Sequence, residues 1–165
     1  VRGYYNQGAG WINYSAHGML WIALTLILLA LPKTRRLGLT CMISVMIGYI
    51  ITNLVIKNWV ARVRPYEVVQ GLECLVGVQK DFSFPSGHTT NGLACAWVIF
   101  RLAPKKWGVP ALALAIVIAL TRLYVGVHYP TDILGGAVIG IGSALLALKL
   151  EPWLERKFPA IQKVL

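Results

Sequence analysis

The sequence predicts an all-α integral membrane helical bundle of about five transmembrane helices in a single domain, and three observations carry that prediction. Charged residues make up 13% of the 165-residue chain, about half the ~25% of a soluble domain. Hydrophobic residues make up 57%. Five apolar blocks recur along the chain, separated by polar or basic connections. A soluble chain of this size could not cover its surface with 16 basic and six acidic side chains, so its apolar surface is expected to face lipid.

Taken in order, residues 1–14 (VRGYYNQGAGWINY) are polar, glycine-rich and aromatic. They are too polar to span a bilayer and read as an interfacial segment or as the exit from a helix further upstream. The chain starts at Val1 and shows no cleavable signal peptide, so an upstream segment is expected to be missing. The first apolar block covers 15–31 and the second, 37–56, has twenty residues without a charge. A span needs about 20 residues at 1.5 Å each, so these two qualify alone. The third block, 89–103, is short and contains Arg101. The fourth, 109–120, extends through Arg122 to about 127, and the fifth, 133–148, is uncharged. These three reach spanning length only by continuing into polar neighbours, and the unusual chemistry lies in those neighbours. No repeat or low-complexity segment stands out.

Charge placement predicts orientation. Lys33, Arg35 and Arg36 separate the first two blocks, Lys105 and Lys106 separate the third and fourth, and Arg156, Lys157 and Lys163 follow the fifth. The positive-inside rule puts all three groups on the cytoplasmic side, with Arg101 able to snorkel toward it and 151–165 forming a cytoplasmic tail. The extracytoplasmic face then carries the N-terminus, the 57–88 connection and the 127–132 turn. Trp11, Trp59, Trp107 and Trp153 fall near span ends, as an interfacial belt requires. The net charge of +10 does not indicate nucleic acid, because the basic residues sit between apolar blocks and not in a stripe interleaved with aromatics. Cys41 and Cys95 read as small core hydrophobes and Cys74 as a loop residue; no pair has metal or disulfide spacing.

Three short segments on the outer face concentrate the chemistry. Lys57 and Arg64 are seven residues apart, so they would share a helix face if the helix continued, with Arg62 pointing elsewhere. Pro65 stops that segment. Taken alone, such cations snorkel to lipid headgroups. Next, 82–92 reads FSFPSGHTTNG. Ser86 is a helix cap, Gly87 lets backbone approach a ligand, and His88 sits in the first turn of an N-terminus suited to an anion. Last, 121–132 reads TRLYVGVHYPTD. Arg122 is an intramembrane cation, and Gly126 and Pro130 mark a break. Pro130 suits the first position of the next helix, which puts Asp132 in its first turn, where it can accept from one ring nitrogen of His128. Together, three cations, a helix N-terminus, two histidines and one aspartate match the needs of phosphoryl transfer. Cations and N–H groups stabilise the phosphoryl oxygens, one histidine attacks, and the other protonates the leaving oxygen. The three segments offer no second carboxylate, Cys/His cluster or acidic pair for Mg²⁺, so no metal or other cofactor is expected and a covalent route is favoured.

The three segments resemble the signature of the type 2 phosphatidic acid phosphatase family, which shares its core with vanadium haloperoxidases. Lys57, six residues, then Arg64-Pro65 resembles the first motif, and Pro85-Ser86-Gly87-His88 the second. Thr121-Arg122, five residues, His128, three residues, Asp132 resembles the third, with Thr121 in place of serine. The resemblance implies a six-helix core whose first helix is missing here or replaced by the interfacial segment. It implies His128 as the nucleophile forming a phosphohistidine, Asp132 as its orienting partner, and His88 as general acid and then base. It implies Lys57, Arg64, Ser86, Gly87 and Arg122 as the phosphate ligands. The expected function is a metal-independent membrane phosphatase acting on a lipid phosphate or diphosphate at the extracytoplasmic face. Undecaprenyl diphosphate ranks ahead of phosphatidylglycerol phosphate, phosphatidic acid and lipid A phosphates. Expected partners are that lipid and the bilayer lipids, and the loop 66–84, with Glu67, Glu73 and Asp81, is expected to shape substrate access. A non-enzymatic anion transporter or channel is the competing class, and it would make His128 and Asp132 dispensable. Five lipid-compatible spans argue against a soluble haloperoxidase.

Overall fold

The computed structural model describes residues 20–72 and 74–157. The expectations for 1–14, Trp11, Glu73 and Lys163 fall outside the described residues. Those residues form helices and connections, with no strand among them. They are α1 (Leu20–Ala30), a 3₁₀ turn (Pro32–Thr34), α2 (Arg35–Tyr49), a π-helical segment (Ile50–Ile56), α3 (Lys57–Val60), α4 (Pro65–Val68), α5 (Gly87–Leu102), α6 (Lys105–Tyr124) and α7 (Pro130–Lys157). The five apolar blocks correspond to α1, the continuous α2–π–α3 rod, α5, α6 and α7. Among the described residues, three stretches are long and apolar enough to cross a membrane: Pro32–Val68, Lys105–Tyr124 and Pro130–Lys157. As expected, α6 and α7 gain their length by taking in the polar motif residues. The segment expected as a tail from residue 151 is helical as far as Lys157.

Helix α5 lies at the centre, packed against α2, α6 and α7. Close approach to α7 is possible because Gly136 and Gly140 face it. A Cβ at Gly136 would come within 2.7 Å of the Ser86 carbonyl oxygen, and one at Gly140 within 2.6 Å of the Thr90 carbonyl oxygen. Small residues at a helix interface bring two backbones together where lipid supplies no hydrophobic drive for association. The interior also buries Thr25, Thr40, Ser44, Thr52, Thr90 and Ser143. Each hydroxyl has a partner: Ser44 donates to the Ala94 carbonyl at 3.0 Å, and Thr52 and Thr90 meet at 3.0 Å. Large apolar side chains are on the outside instead, among them Leu26, Leu54, Val117 and Val138. That distribution suits a bilayer and not water. Cys41 and Cys95 are buried in the core as read; Cys74, expected simply as a loop residue, is itself buried beside Val76 and Val127.

The two ends of the bundle differ. At one end Arg36 joins Glu151 at 2.6 Å and Glu155 at 3.3 Å, tying the start of α2 to the end of α7. Lys105 covers the Phe100 ring and Lys157 the Trp153 ring at this end. The other end gathers Lys57, Arg64, Arg122 and both motif histidines. Trp59 and Trp107 are exposed, as belt residues should be.

The α5–α7 contact makes a prediction. Gly140→Ala is expected to lower the melting temperature in detergent, costing about 1–3 kcal/mol as overpacking does. Gly142→Ala, whose Cβ meets nothing within 4 Å, is expected to be neutral or slightly stabilising. Thermal unfolding followed by tryptophan fluorescence compares the two, and equal losses would contradict this packing.

Candidate active site

The first motif is positioned by an irregular helix. The π-helical segment feeds directly into α3, whose first residue, Lys57, is buried. The helix then stops at Val60, because Ala61 adopts a left-handed conformation with φ of 47°. Lys57 and Arg64 therefore do not share a helix face, as their spacing suggested. The chain reverses, Arg64 takes an extended conformation before Pro65 at the first position of α4, and both cations still reach one pocket. Arg64 is clamped there: its Nη1 donates to the Val127 carbonyl at 2.8 Å and its Nε to the Asp81 carbonyl at 2.9 Å.

The second motif starts α5. Ser86 caps it, its hydroxyl accepting from the Thr89 amide at 3.4 Å and from the Thr89 hydroxyl at 3.0 Å. Such caps satisfy amides that have no partner inside the helix. The third motif spans the α6–α7 turn. Gly126, with φ of 75°, supplies the left-handed residue that ends α6. The chain then presents His128 and enters α7 at Pro130. The Thr121 hydroxyl donates to the Ile118 carbonyl at 2.6 Å and lies 3.3 Å from Arg122 Nη2. The threonine that replaces serine thus retains the hydroxyl that steadies Arg122.

These segments enclose a cavity of about 150 Å³ lined by Lys57, Arg64, Gly87, His88, Arg122 and His128, together with Tyr49, Asn53, Gln79, Asp81 and Asn91. Six of the eight residues selected from the sequence therefore line one cavity. The other two stand behind it. Ser86 is fully buried with its hydroxyl committed to the cap, and Asp132 is fully buried against His128. Asp132 Oδ2 lies 3.3 Å from His128 Nδ1 and accepts the Tyr129 amide at 2.8 Å and the Ser83 hydroxyl. Its Oδ1 accepts from Arg62 Nη1 at 2.9 Å. With Nδ1 turned to the carboxylate, Nε2 is the ring nitrogen left for chemistry.

Three residues come to the site that spacing did not assign. Arg62, expected to point elsewhere, holds Asp132 and Thr131 and stacks on the Tyr129 ring 3.8 Å away. The expectation failed because the helix that would have aimed Arg62 ends two residues earlier, at Val60. Ser83 reaches Asp132 from the loop. Asp81, expected only to shape access, lies in the cavity wall and bridges Arg64 Nη2 at 2.6 Å and Lys57 Nζ. Burial acts to raise the Asp81 pKa, but Lys57 and Arg64 together hold it below the ordinary carboxylate value. Burial pushes the His128 pKa below the ordinary imidazole value; Arg64 and Lys57 add to this, and the Asp132 bond opposes it.

A second cavity, of about 310 Å³, lies between α1 and α2. It is lined by Ile22, Leu26, Met42, Val45, Met46 and Ile50 with Thr25. Tyr49 and Asn91 line both cavities.

Residues 37–156 match the PAP2 superfamily, a span that contains all three motifs. The chain belongs to the PAP2 superfamily. Among PAP2 relatives, an undecaprenyl-diphosphatase of Sulfolobus acidocaldarius is 32% identical over 132 residues. The match covers 80% of this chain and 64% of that protein, so the chain spans just under two thirds of the relative's length. Among solved structures, Aquifex aeolicus LpxE superposes with a TM-score of 0.72 at 23% identity, covering 84% of each chain, which supports the fold. The first transmembrane PAP2 type phosphatidylglycerolphosphate phosphatase from Bacillus subtilis superposes with a TM-score of 0.65 at 26% identity. That superposition covers 88% of this chain and 79% of the other. The fold expected from the motifs is thus the fold of PAP2 membrane phosphatases.

Arg62 gives this PAP2 site a direct test. Arg62→Ala removes a charged donor from a fully buried carboxylate and is expected to destabilise the protein by about 1–3 kcal/mol. Thermal unfolding in detergent measures it, and an unchanged melting temperature would show that Ser83, Tyr129 and His128 suffice for Asp132.

Proposed function

We propose that this protein is a membrane phosphatase that hydrolyses a lipid phosphate or diphosphate through a phosphohistidine at His128. The observation that carries the proposal is that two cavities of different character lie side by side against the same two residues. One gathers Lys57, Arg64 and Arg122 around two histidines, and it shares Tyr49 and Asn91 with the other, whose walls are apolar. A phosphate in the first and a hydrocarbon chain in the second would describe one molecule. Ile22, Leu26, Met46 and Ile50 of the second cavity are also exposed, on α1, α2 and the start of the π-helical segment, so a lipid tail could reach it from the bilayer.

In the proposed reaction, Lys57, Arg64, Arg122 and the amides at the α5 N-terminus hold the phosphoryl oxygens and stabilise their charge in the transition state. His128 Nε2 attacks phosphorus, with Asp132 fixing the tautomer and stabilising the imidazolium. The bond from phosphorus to the leaving oxygen breaks as His88 donates a proton to that oxygen. His88 then takes a proton from water, the hydroxide displaces Nε2 from phosphorus, and inorganic phosphate leaves. Ser86 acts through the helix it caps. The basic end formed by Arg36, Lys105 and Lys157 lies opposite the site, and the positive-inside rule supports an extracytoplasmic placement for the chemistry. Undecaprenyl diphosphate is the first substrate to try, supported by the Sulfolobus relative's name. The name of the Bacillus phosphatase supports phosphatidylglycerol phosphate next, with phosphatidic acid and lipid A phosphates completing the panel.

Phosphate release from that panel by the detergent-purified protein, with a chelator present, tests the proposal. Release is expected from at least one lipid, and His128→Ala and His88→Ala are each expected to lose about 10²–10⁴-fold or more. No release from any lipid, or full activity in His128→Ala, would contradict it and favour a non-enzymatic anion pathway. The pH profile supplies a second check. An imidazole nucleophile works above its own pKa and fails as pH falls through it. Because burial lowers the His128 value, the acid limb of kcat/KM is expected below pH ~6.5, the ordinary imidazole value. An acid limb well above that pH would contradict the assignment.

A further inference from the structure

The two cations of the first motif already hold an anion, and it belongs to the chain. One Asp81 oxygen lies 2.6 Å from Arg64 Nη2 and the other contacts Lys57 Nζ. A carboxylate bridging two cations through its two oxygens imitates two oxygens of a phosphate. The order of layers matters too. The Lys57 and Arg64 side chains are 6% and 3% exposed, whereas the Asp81 side chain is 41% exposed. The carboxylate therefore lies on the open side of its partners, in the cavity wall. An anion arriving through the cavity meets Asp81 in front of Lys57 and Arg64.

The backbone around Asp81 is held independently of its side chain. Its carbonyl accepts from Arg64 Nε at 2.9 Å, and the Ser83 amide donates to the Arg62 carbonyl at 2.8 Å. The Ser83 hydroxyl is tied to Asp132. A rotamer change would swing the carboxylate away while the loop stays in place. While no other anion is bound, the carboxylate offsets the mutual repulsion of two buried cations. Once it leaves, a phosphate must replace that charge.

We propose that Asp81 is a displaceable internal counter-ion that selects doubly charged terminal phosphates over the singly charged phosphodiester headgroups of the surrounding bilayer. The proposal rests on the reading of the cavity as a phosphate site. A terminal phosphate carries a charge of about −1.5 to −2 at neutral pH and gains more from the two cations than a carboxylate does. A phosphodiester carries one negative charge and gains nothing by the exchange. Bilayer lipids with diester headgroups would otherwise crowd a cationic pocket open to the membrane. The return of the carboxylate also assists release of inorganic phosphate.

The test measures inorganic phosphate binding by calorimetry to the full chain in detergent, and inhibition of lipid phosphate hydrolysis by phosphatidylglycerol in mixed micelles. Asp81→Asn is expected to bind phosphate about tenfold more tightly, as removal of a competing state does, and to become sensitive to phosphatidylglycerol. Asp81→Glu, which retains the charge, is expected to stay near the parent protein in both respects. Should Asp81→Asn fail to fold, Asp81→Ser, too short to reach both cations, serves in its place. Phosphate affinity that is unchanged or weaker without the carboxylate would overturn the proposal and make Asp81 a positioning residue for Lys57 and Arg64. The two readings fail separately: a parent protein that binds phosphate but hydrolyses no lipid loses the phosphatase assignment, while the affinity comparison still decides the role of Asp81.

Discussion

The site is organised by one buried carboxylate. Asp132 is fully inaccessible, and an ionised carboxylate survives in such surroundings only when nearly every lone pair is matched. Its partners come from everywhere the site is built. Arg62 comes from the first motif region, Ser83 from the following loop, and the Tyr129 amide and His128 from its own turn. Its carbonyl oxygen also accepts the Ser86 amide at 3.0 Å. One residue at the start of α7 thereby fixes segments that are far apart in sequence. That arrangement requires α5 and α7 to be close, and Gly136, whose Cβ would meet the Ser86 carbonyl, permits it.

The second carboxylate of the site has the opposite character. Asp132 is enclosed and fixed, whereas Asp81 stands at the cavity surface against two cations. This difference in exposure divides the work in the proposed chemistry. One carboxylate orients the histidine nucleophile throughout the cycle, and the other yields its place to phosphate. Both depend on the loop that follows α4, since Asp81 and Ser83 lie two residues apart and face different partners. The same economy governs the net charge of +10. Arg36, Lys105 and Lys157 mark one end of the bundle, and Lys57, Arg64 and Arg122 line a cavity at the other.

Much of this was legible in the sequence because membrane helices and phosphate sites both leave local signals. Apolar blocks with little charge identified the helices, and Ser86, Pro130 and Gly126 marked real boundaries through cap and turn chemistry. Six of the eight selected residues line the cavity, and four of them, Gly87, His88, Arg122 and His128, stand at helix ends that cap and turn residues had marked. The rest depended on events that spacing does not encode. The π-helical turns at Ile50–Ile56 and the left-handed Ala61 change where Lys57, Arg62 and Arg64 point, and a helical wheel carried through Pro65 misdirects Arg62. Asp81 and Ser83 sit in a loop with no periodicity, so their ion pairs and hydrogen bonds exist only after the chain has folded back. Asp81 did carry one signal: it is one of six acidic residues in a chain with 16 basic ones, and it follows the first motif.

The central claim is that phosphorus is transferred to His128 Nε2. It is tested most directly by rapid base-quench of the protein during turnover of a labelled lipid phosphate, followed by peptide mass spectrometry at alkaline pH. The account predicts a phosphoryl group on His128 that is stable to base and labile to acid, present during turnover and lost once the lipid is exhausted. Steady hydrolysis of the lipid with no phosphorylated residue, or with the label on any residue other than His128, would contradict it.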